Sequence, residues 1–514
     1  MSRATWGVVG VAVIAAAAVT AVATAGSTSR GPSTVTDPYV IPVAPGVEIK
    51  SLVTVGDAAA ASNGYEMVGI PDGLGAYKEG KNIILTVNHE LRSNQGAVRA
   101  HGQIGAFVSK WTFDPKTLEA KAGSDLIPSA ASVTYWDYVS ASRSATASIG
   151  GANPRVTGDV FPAQTAAFSR FCSGSLTDRG QLFDTKTKRG YDGRIRFANE
   201  ENGVEGRVFG ITEDGTTEQL PRLGLFSWEN TLAAETRGEV TLTMGQEDSA
   251  DGQLWVYVGT KQKSGSAFDK AGLTNGVDYV VDLKDESIST DAGFRAGIGK
   301  GTSASFDLAE VPWDLSGAAQ NTIAKNDGLT LNRIEDGAWD PRNRNDFYFV
   351  TTEGGNGATT ERDGGGLWRL RFADVDKPSL GGTLTLLLDG SEAPYLSKPD
   401  NVDVDKHGNI LIQEDPGLSP HVARIVAYEI KTGRLGVVAT FDPALFAPAT
   451  PGGTDAVLTT DEESSGIIDV GEILGDGWFL FDAQVHKAQA DAALVEYGQL
   501  LAMKIPNFKK VYGS

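Results

Sequence analysis

Acidic side chains recur in this sequence at the ends of short apolar runs. Asn88-His89-Glu90 follows one run, and Glu200-Glu201-Asn202 leads into another. Thr352-Glu353 and Gln413-Glu414-Asp415 close two more. Carboxylates brought together from distant points of a chain repel one another unless cations lie between them, and a cage of their oxygens suits calcium and other hard ions. The same residues also serve as ordinary turn formers, so the spacing alone leaves both readings open. The chain has a single cysteine, Cys172. It can fill a small apolar space or, as a thiolate, complete the shell of a metal. Strand alternation points His89 and Glu90 to opposite sides, so only Glu90 is a candidate for a shared site. Arg333 and Glu335 are two apart and would face the same side of a strand. The five histidines, at positions 89, 101, 407, 421 and 486, are too scattered for a histidine-rich zinc site.

Other motifs fall away. Asp403, Asp405 and Glu414 imitate a calcium loop, but His407 is a poor ligand at its place in that loop, and the stretch reads as a hairpin turn. The glycine-rich stretch 297–302 misses the phosphate-loop pattern, because Gly301 separates Lys300 from Thr302. No nucleophile elbow of the serine-hydrolase type occurs.

Short β-type runs bounded by Gly, Asp, Asn or Pro must position any such site; examples are 82–88, 207–212, 254–259, 346–352, 409–413 and 478–482. With 62 glycines in 514 residues and no long amphipathic helix, the chain is expected to be all-β. A propeller of four-stranded blades with varied insertions fits best, because its innermost strands converge on one axis and would bring distant strand ends together. Apolar residues are 41% and charged residues 21%, as in ordinary globular proteins. A formal net charge of −20 argues against a nucleic-acid partner and against an anionic membrane surface. Residues 1–25 read as an export signal: Arg3, an apolar stretch 6–22, and Ala23-Thr24-Ala25 before Gly26. The alternative is an uncleaved anchor. Residues 26–40 read as a linker and 41–514 as the propeller domain.

A collinear set of segments sharpens this reading. It runs through Asn88-His89-Glu90, Phe171-Cys172-Ser173-Gly174-Ser175, Asn199-Glu200-Glu201, Trp228-Glu229-Asn230, Gly245-Gln246-Glu247-Asp248, Arg333-Ile334-Glu335-Asp336-Gly337 and Pro399-Asp400-Asn401. Together these resemble the PhoX-type alkaline phosphatase family, from about Glu66 onward. The resemblance implies an exported six-bladed β-propeller that hydrolyses phosphate monoesters with an iron and calcium cluster (Fe3+ and Ca2+). By the same resemblance Glu90, Cys172, Glu229 and Glu335 are expected as metal ligands, Glu201 and Asp400 as calcium ligands, and Arg333 as the holder of the substrate phosphate. The expected partner is a small phosphoester, with no nucleic acid and no stable membrane partner, and the protein is expected to be a monomer. The chain departs from the family at Trp228, where histidine is usual, at Ser173 and Ser175 after the cysteine, where Ala and Gly are usual, and at Asn199, where cysteine is usual. Those departures keep two other readings in view: a catalytically weak calcium-binding propeller, and a phytase-like propeller hydrolase.

Overall fold

Strands such as Asn82–His89 and Asp346–Thr351 are buried along nearly their whole length instead of on alternate residues. Their sheets are therefore covered on both faces, which is why these segments read as continuous apolar runs. The computed structural model describes residues 26–57, 60–356, 362–419, 421–450 and 453–513; the expected export segment lies outside them.

The chain folds into antiparallel meanders. Pro71–Glu79, Asn82–His89, Phe107–Phe113 and Ala120–Asp125 form one. Two later meanders, starting at Trp228–Ala233 and Ile334–Trp339, fuse into a nine-stranded sheet because Ser303–Val311 pairs with Gly382–Leu388. The first strands of the meanders pack side by side. Trp228–Ala233 lies against Ile334–Trp339, which lies against Pro399–Val404, then Glu462–Asp469, and then Pro71–Glu79. The succession turns back to the first meander, giving a propeller-like, mostly β body.

The start and end of the chain share sheets. Glu48–Thr54 pairs with Glu496–Lys504, and Val40–Pro42 pairs with Leu435–Phe441. This departs from the linker expected over residues 26–40: Ser27–Arg30 adds a parallel strand to the edge of Glu48–Thr54. Its side chains are all exposed, so composition resembles a linker, but the open sheet edge captures its backbone groups.

The core lies between neighbouring sheets. Phe226 stacks on Trp228 at 3.8 Å and on Trp255 at 4.5 Å, all three buried. Near the axis the strands come so close that a Cβ on Gly73 would lie 2.1 Å from the Gly174 backbone nitrogen, a position only glycine can fill. The longest helix among the described residues is Gly317–Asp327, and none is long and apolar enough to cross a membrane.

Candidate metal centre

One backbone hydrogen bond recurs around the axis. An amide at or near the end of each second strand donates to the carbonyl just before the first: Glu90 to Ile70, Glu201 to Arg170, Asp248 to Ser227, Thr352 to Arg333, Asp415 to Lys398 and, from within its strand, His486 to Asp461. Each acceptor lies two residues before a side chain in an equivalent place: Asp72, Cys172, Glu229, Glu335, Asp400 and Glu463. A register shift follows this place in the strands starting at Pro71, Trp228, Ile334 and Pro399. Such bulges bend a strand and re-aim its side chains, here at the point where the acids gather. Cys172 stands on a broken first strand, with Phe171 and Leu176 bridging Glu200 and Arg196 and Phe197 N donating to Ser175 O at 2.9 Å.

Three overlapping triads form: Asp72, Glu90 and Cys172; Cys172, Glu201 and Glu229; Glu229, Glu335 and Asp400. Within each, one donor atom per residue lies within 4.8 Å of the others. All six residues expected as metal ligands therefore come together, and Asp72 joins them. The Cys172 thiol donates to Asp72 Oδ2 at 3.3 Å. Burial, followed by the carboxylates of Asp72 and Glu229, pushes the thiol well above its usual range. Burial likewise raises Glu229 to about 8. Asp72, Glu201, Glu335 and Asp400 rise in the same direction, first through burial; neighbouring carboxylates such as Glu463, Glu90 and Asp248 add to it, while Arg170 opposes it at Glu201 and Arg333 at Glu335.

Arg333 lies just before the strand and not on it, in a left-handed conformation with φ of 55°. It still meets Glu335, at 3.0 Å. Its Nε and Nη2 donate to the two oxygens of Asp248 at 2.9 and 2.8 Å. Arg170 holds Glu90 through Nε at 2.7 Å and Glu201 through Nη2. His89 points away from the ring, as alternation predicts. It is buried, stacks on Phe107 at 4.2 Å and shares a hydrogen bond between Nε2 and Ser109 Oγ at 2.8 Å. Burial opposes charge on His486, but Glu463 and Glu496 outweigh it and raise this histidine to about 11.

The outward neighbours of the ring are fixed by arginines. Arg207 grips Glu200 through Nε and Nη2 at 2.5 and 2.7 Å, and Arg424 grips Glu414 at 2.8 and 2.6 Å. Below the ring, amides tie one sheet to the next. Asn88 donates to Cys172 O at 2.8 Å, Asn199 accepts from Thr231 Oγ1 at 2.7 Å, Gln413 donates to Ser464 Oγ at 2.6 Å and Gln484 to Asp72 Oδ2 at 3.1 Å.

Sequence reasoning missed Asp72, Asp248, Arg170 and Gln484. A signal for Asp72 existed: Pro71-Asp72 repeats the Pro399-Asp400 pair at the start of another first strand.

The donor set fits metal ions. Asp72 Oδ1 and Glu229 Oε1 are buried without a hydrogen-bond partner among the described residues, and buried carboxylate oxygens in that state are strongly unfavourable unless a cation meets them. Carboxylates with one thiol suit iron and calcium together.

A mostly β, propeller-like body with a ring of acids and one thiol at one end of its axis is the class this architecture defines. Within it, the chain belongs to the alkaline phosphatase PhoX family, whose sequence model matches residues 175–463. Among solved structures it is similar to Pseudomonas fluorescens PhoX in complex with vanadate, a transition state analogue. The two are 12% identical, with 90% of this chain and 96% of that chain covered and a TM-score of 0.56. It also matches the GH93 α-L-arabinofuranosidase of Fusarium graminearum with arabinobiose, at 10% identity, 90% and 98% coverage and a TM-score of 0.40. No curated protein sequence matches.

Proposed function

We propose that this protein is an exported phosphatase that releases orthophosphate from small phosphate monoesters. It works as a monomer on a six-bladed propeller, and holds an iron and calcium cluster in the axial ring. Cys172, Glu90, Glu229 and Glu335 are its metal ligands, with the thiolate on iron, Glu201 and Asp400 serving calcium, and Asp72 added to the set. The observation that carries this reading is the meeting of one thiol with the acids of the three triads, in a chain of a phosphatase family.

Bound iron and calcium would supply Lewis acidity and charge neutralisation at the phosphate. The chain's own residues do the positioning. Asp248 takes the Nε and Nη2 edge of Arg333 and fixes the plane of the guanidinium. That leaves Nη1 for a phosphate oxygen, the fork geometry that arginine offers to phosphate. Glu335, first among the causes, holds Arg333 firmly charged.

The departures at Trp228 and Asn199 have structural explanations here. Trp228 is buried and stacked on Phe226, so it packs. Asn199 bonds Ser173 O and accepts from Thr231 Oγ1 at 2.7 Å, so it braces the ring. Neither change removes an acid from the triads, which favours an active enzyme over a calcium-only binding module.

The test is elemental analysis of the purified protein together with a phosphoester panel. Iron and calcium should co-purify, and hydrolysis of an aryl phosphate should disappear on chelation. Calcium without iron and no phosphoester cleavage would establish the binding module instead. A strong preference for inositol polyphosphates would mark a phytase-like enzyme.

A further inference from the structure

We propose that Arg170 is a second phosphate-contacting arginine, acting with Arg333 as a two-guanidinium clamp over the ring. The inference deepens the phosphatase reading above and rests on it.

Arg170 and Arg333 hold the same place in their sheets. Each accepts the recurring backbone bond, from Glu201 N and Thr352 N respectively. Each stands two residues before a member of the ring, Cys172 or Glu335. Each adopts the left-handed conformation, with φ of 47° and 55°. Side chains with a Cβ rarely take that conformation, and it persists where the surrounding structure over-determines it. The backbone therefore launches both side chains in the same direction relative to the axis.

The two guanidiniums are also held alike. In each, the Nε and Nη2 edge is bound to carboxylates: Glu90 and Glu201 for Arg170, Asp248 for Arg333. In neither does Nη1 make a hydrogen bond among the described residues; for Arg333 its nearest carboxylate, Glu353, is 4.0 Å away. Both side chains remain partly open to solvent, at 36% and 30%, while Asp72, Glu229 and Glu335 of the ring are buried. Arg170 lines a cavity of about 460 Å³ together with Glu90, Glu463 and His486. A small tetrahedral dianion above the ring would meet one free guanidinium corner from each of two sheets. Two fixed donors at an angle also select for an anion with several oxygens over a singly charged carboxylate.

The competing role for Arg170 is purely as a brace for Glu90 and Glu201. The two roles separate when phosphate affinity and metal content are read together on the metal-loaded protein. Inorganic phosphate is titrated calorimetrically into wild type, Arg170→Gln, Arg170→Lys and Arg333→Gln, with iron and calcium measured on the same samples. For Arg170→Gln we expect phosphate binding weaker by about 10- to 100-fold at unchanged metal content, the range of a charge-assisted hydrogen bond. Arg170→Lys keeps the charge and should recover part of the loss, which also guards against a misfolded glutamine variant. Phosphate affinity within twofold of wild type in Arg170→Gln overturns the proposal. So does a loss of metal that accompanies the loss of affinity, since that is the signature of a brace. Weak binding in Arg333→Gln but not in Arg170→Gln sinks the clamp and leaves the phosphatase reading standing. A wild-type protein that takes up metal but binds no phosphate overturns both.

Discussion

Removing one charge from the ring should change how the metal-stripped protein responds to pH, and Glu229→Gln is the cleanest case because the replacement is nearly isosteric. Glu229 is buried and its carboxyl is raised from 4.5 to about 8, first by burial. A carboxyl raised on folding stabilises the protein fully below its unfolded value and loses that contribution as pH rises through the folded value. Each pH unit in between is worth 1.36 kcal/mol. Between pH 6.5 and 8 the wild type should therefore lose roughly 2 kcal/mol through Glu229 that the glutamine variant does not lose. Unfolding entropy of about 2.1 cal/mol/K per residue gives a chain of this size roughly 1 kcal/mol/K, so the difference is about 2 °C in melting temperature. The window starts at 6.5 for a reason. Burial lowers His89 to about 3 and His101 to about 4, and these two cost stability only below 6.5. The assay is scanning calorimetry of chelator-treated wild type and Glu229→Gln at pH 6.5 and 8. Restoring metal should remove the share of the wild-type fall that Glu229 supplies, because cations hold the carboxylates charged; the fall from His486, raised to about 11, is common to both proteins. Parallel falls in the two stripped proteins would refute the claim that Glu229 sits in a buried, self-repelling ring.

Further outcomes follow from the same geometry. Cys172→Ala should lower bound iron and phosphatase activity together, read by elemental analysis and an aryl phosphate assay; full metal content in the variant would make the thiol a packing residue. Arg207→Ala leaves Glu200 buried beside an empty place, since the pair is only 4% and 2% exposed. The cost should be about 3–5 kcal/mol in denaturant unfolding, and a change under 1 kcal/mol would refute the bracing role. Deleting residues 26–54 strips one of the two partner strands from Glu496–Lys504. The truncated chain should aggregate or lose cooperative melting, and a monomer with an unchanged melting temperature would show that the shared sheet is dispensable.

Much of the fold can be read from the chain. Sheets covered on both faces need continuous apolar runs, and those runs stand out at 82–88, 254–259 and 346–352. Strand-end acids such as Glu90 and Glu335 are equally visible, because their type and place do not depend on distant partners. The expected linker misled because edge pairing uses backbone groups, which composition does not encode. Arg333 misled for a related reason: a left-handed residue before the strand breaks the alternation that would have placed it on one.

The residues that became legible only in three dimensions are those whose role is relational. Asp72 matters because a bulge follows it and because Cys172, a hundred positions away, points at the same spot. Arg170 resembles Arg333 only once both are seen to accept the same bond in different sheets. Local sequence determined which segments are strands and where the acids stand along them, since burial on two faces and turn chemistry act over a few residues. Closure of the sheets around the axis decided which of those acids share one space, because long-range packing and strand bulges set the direction of each side chain.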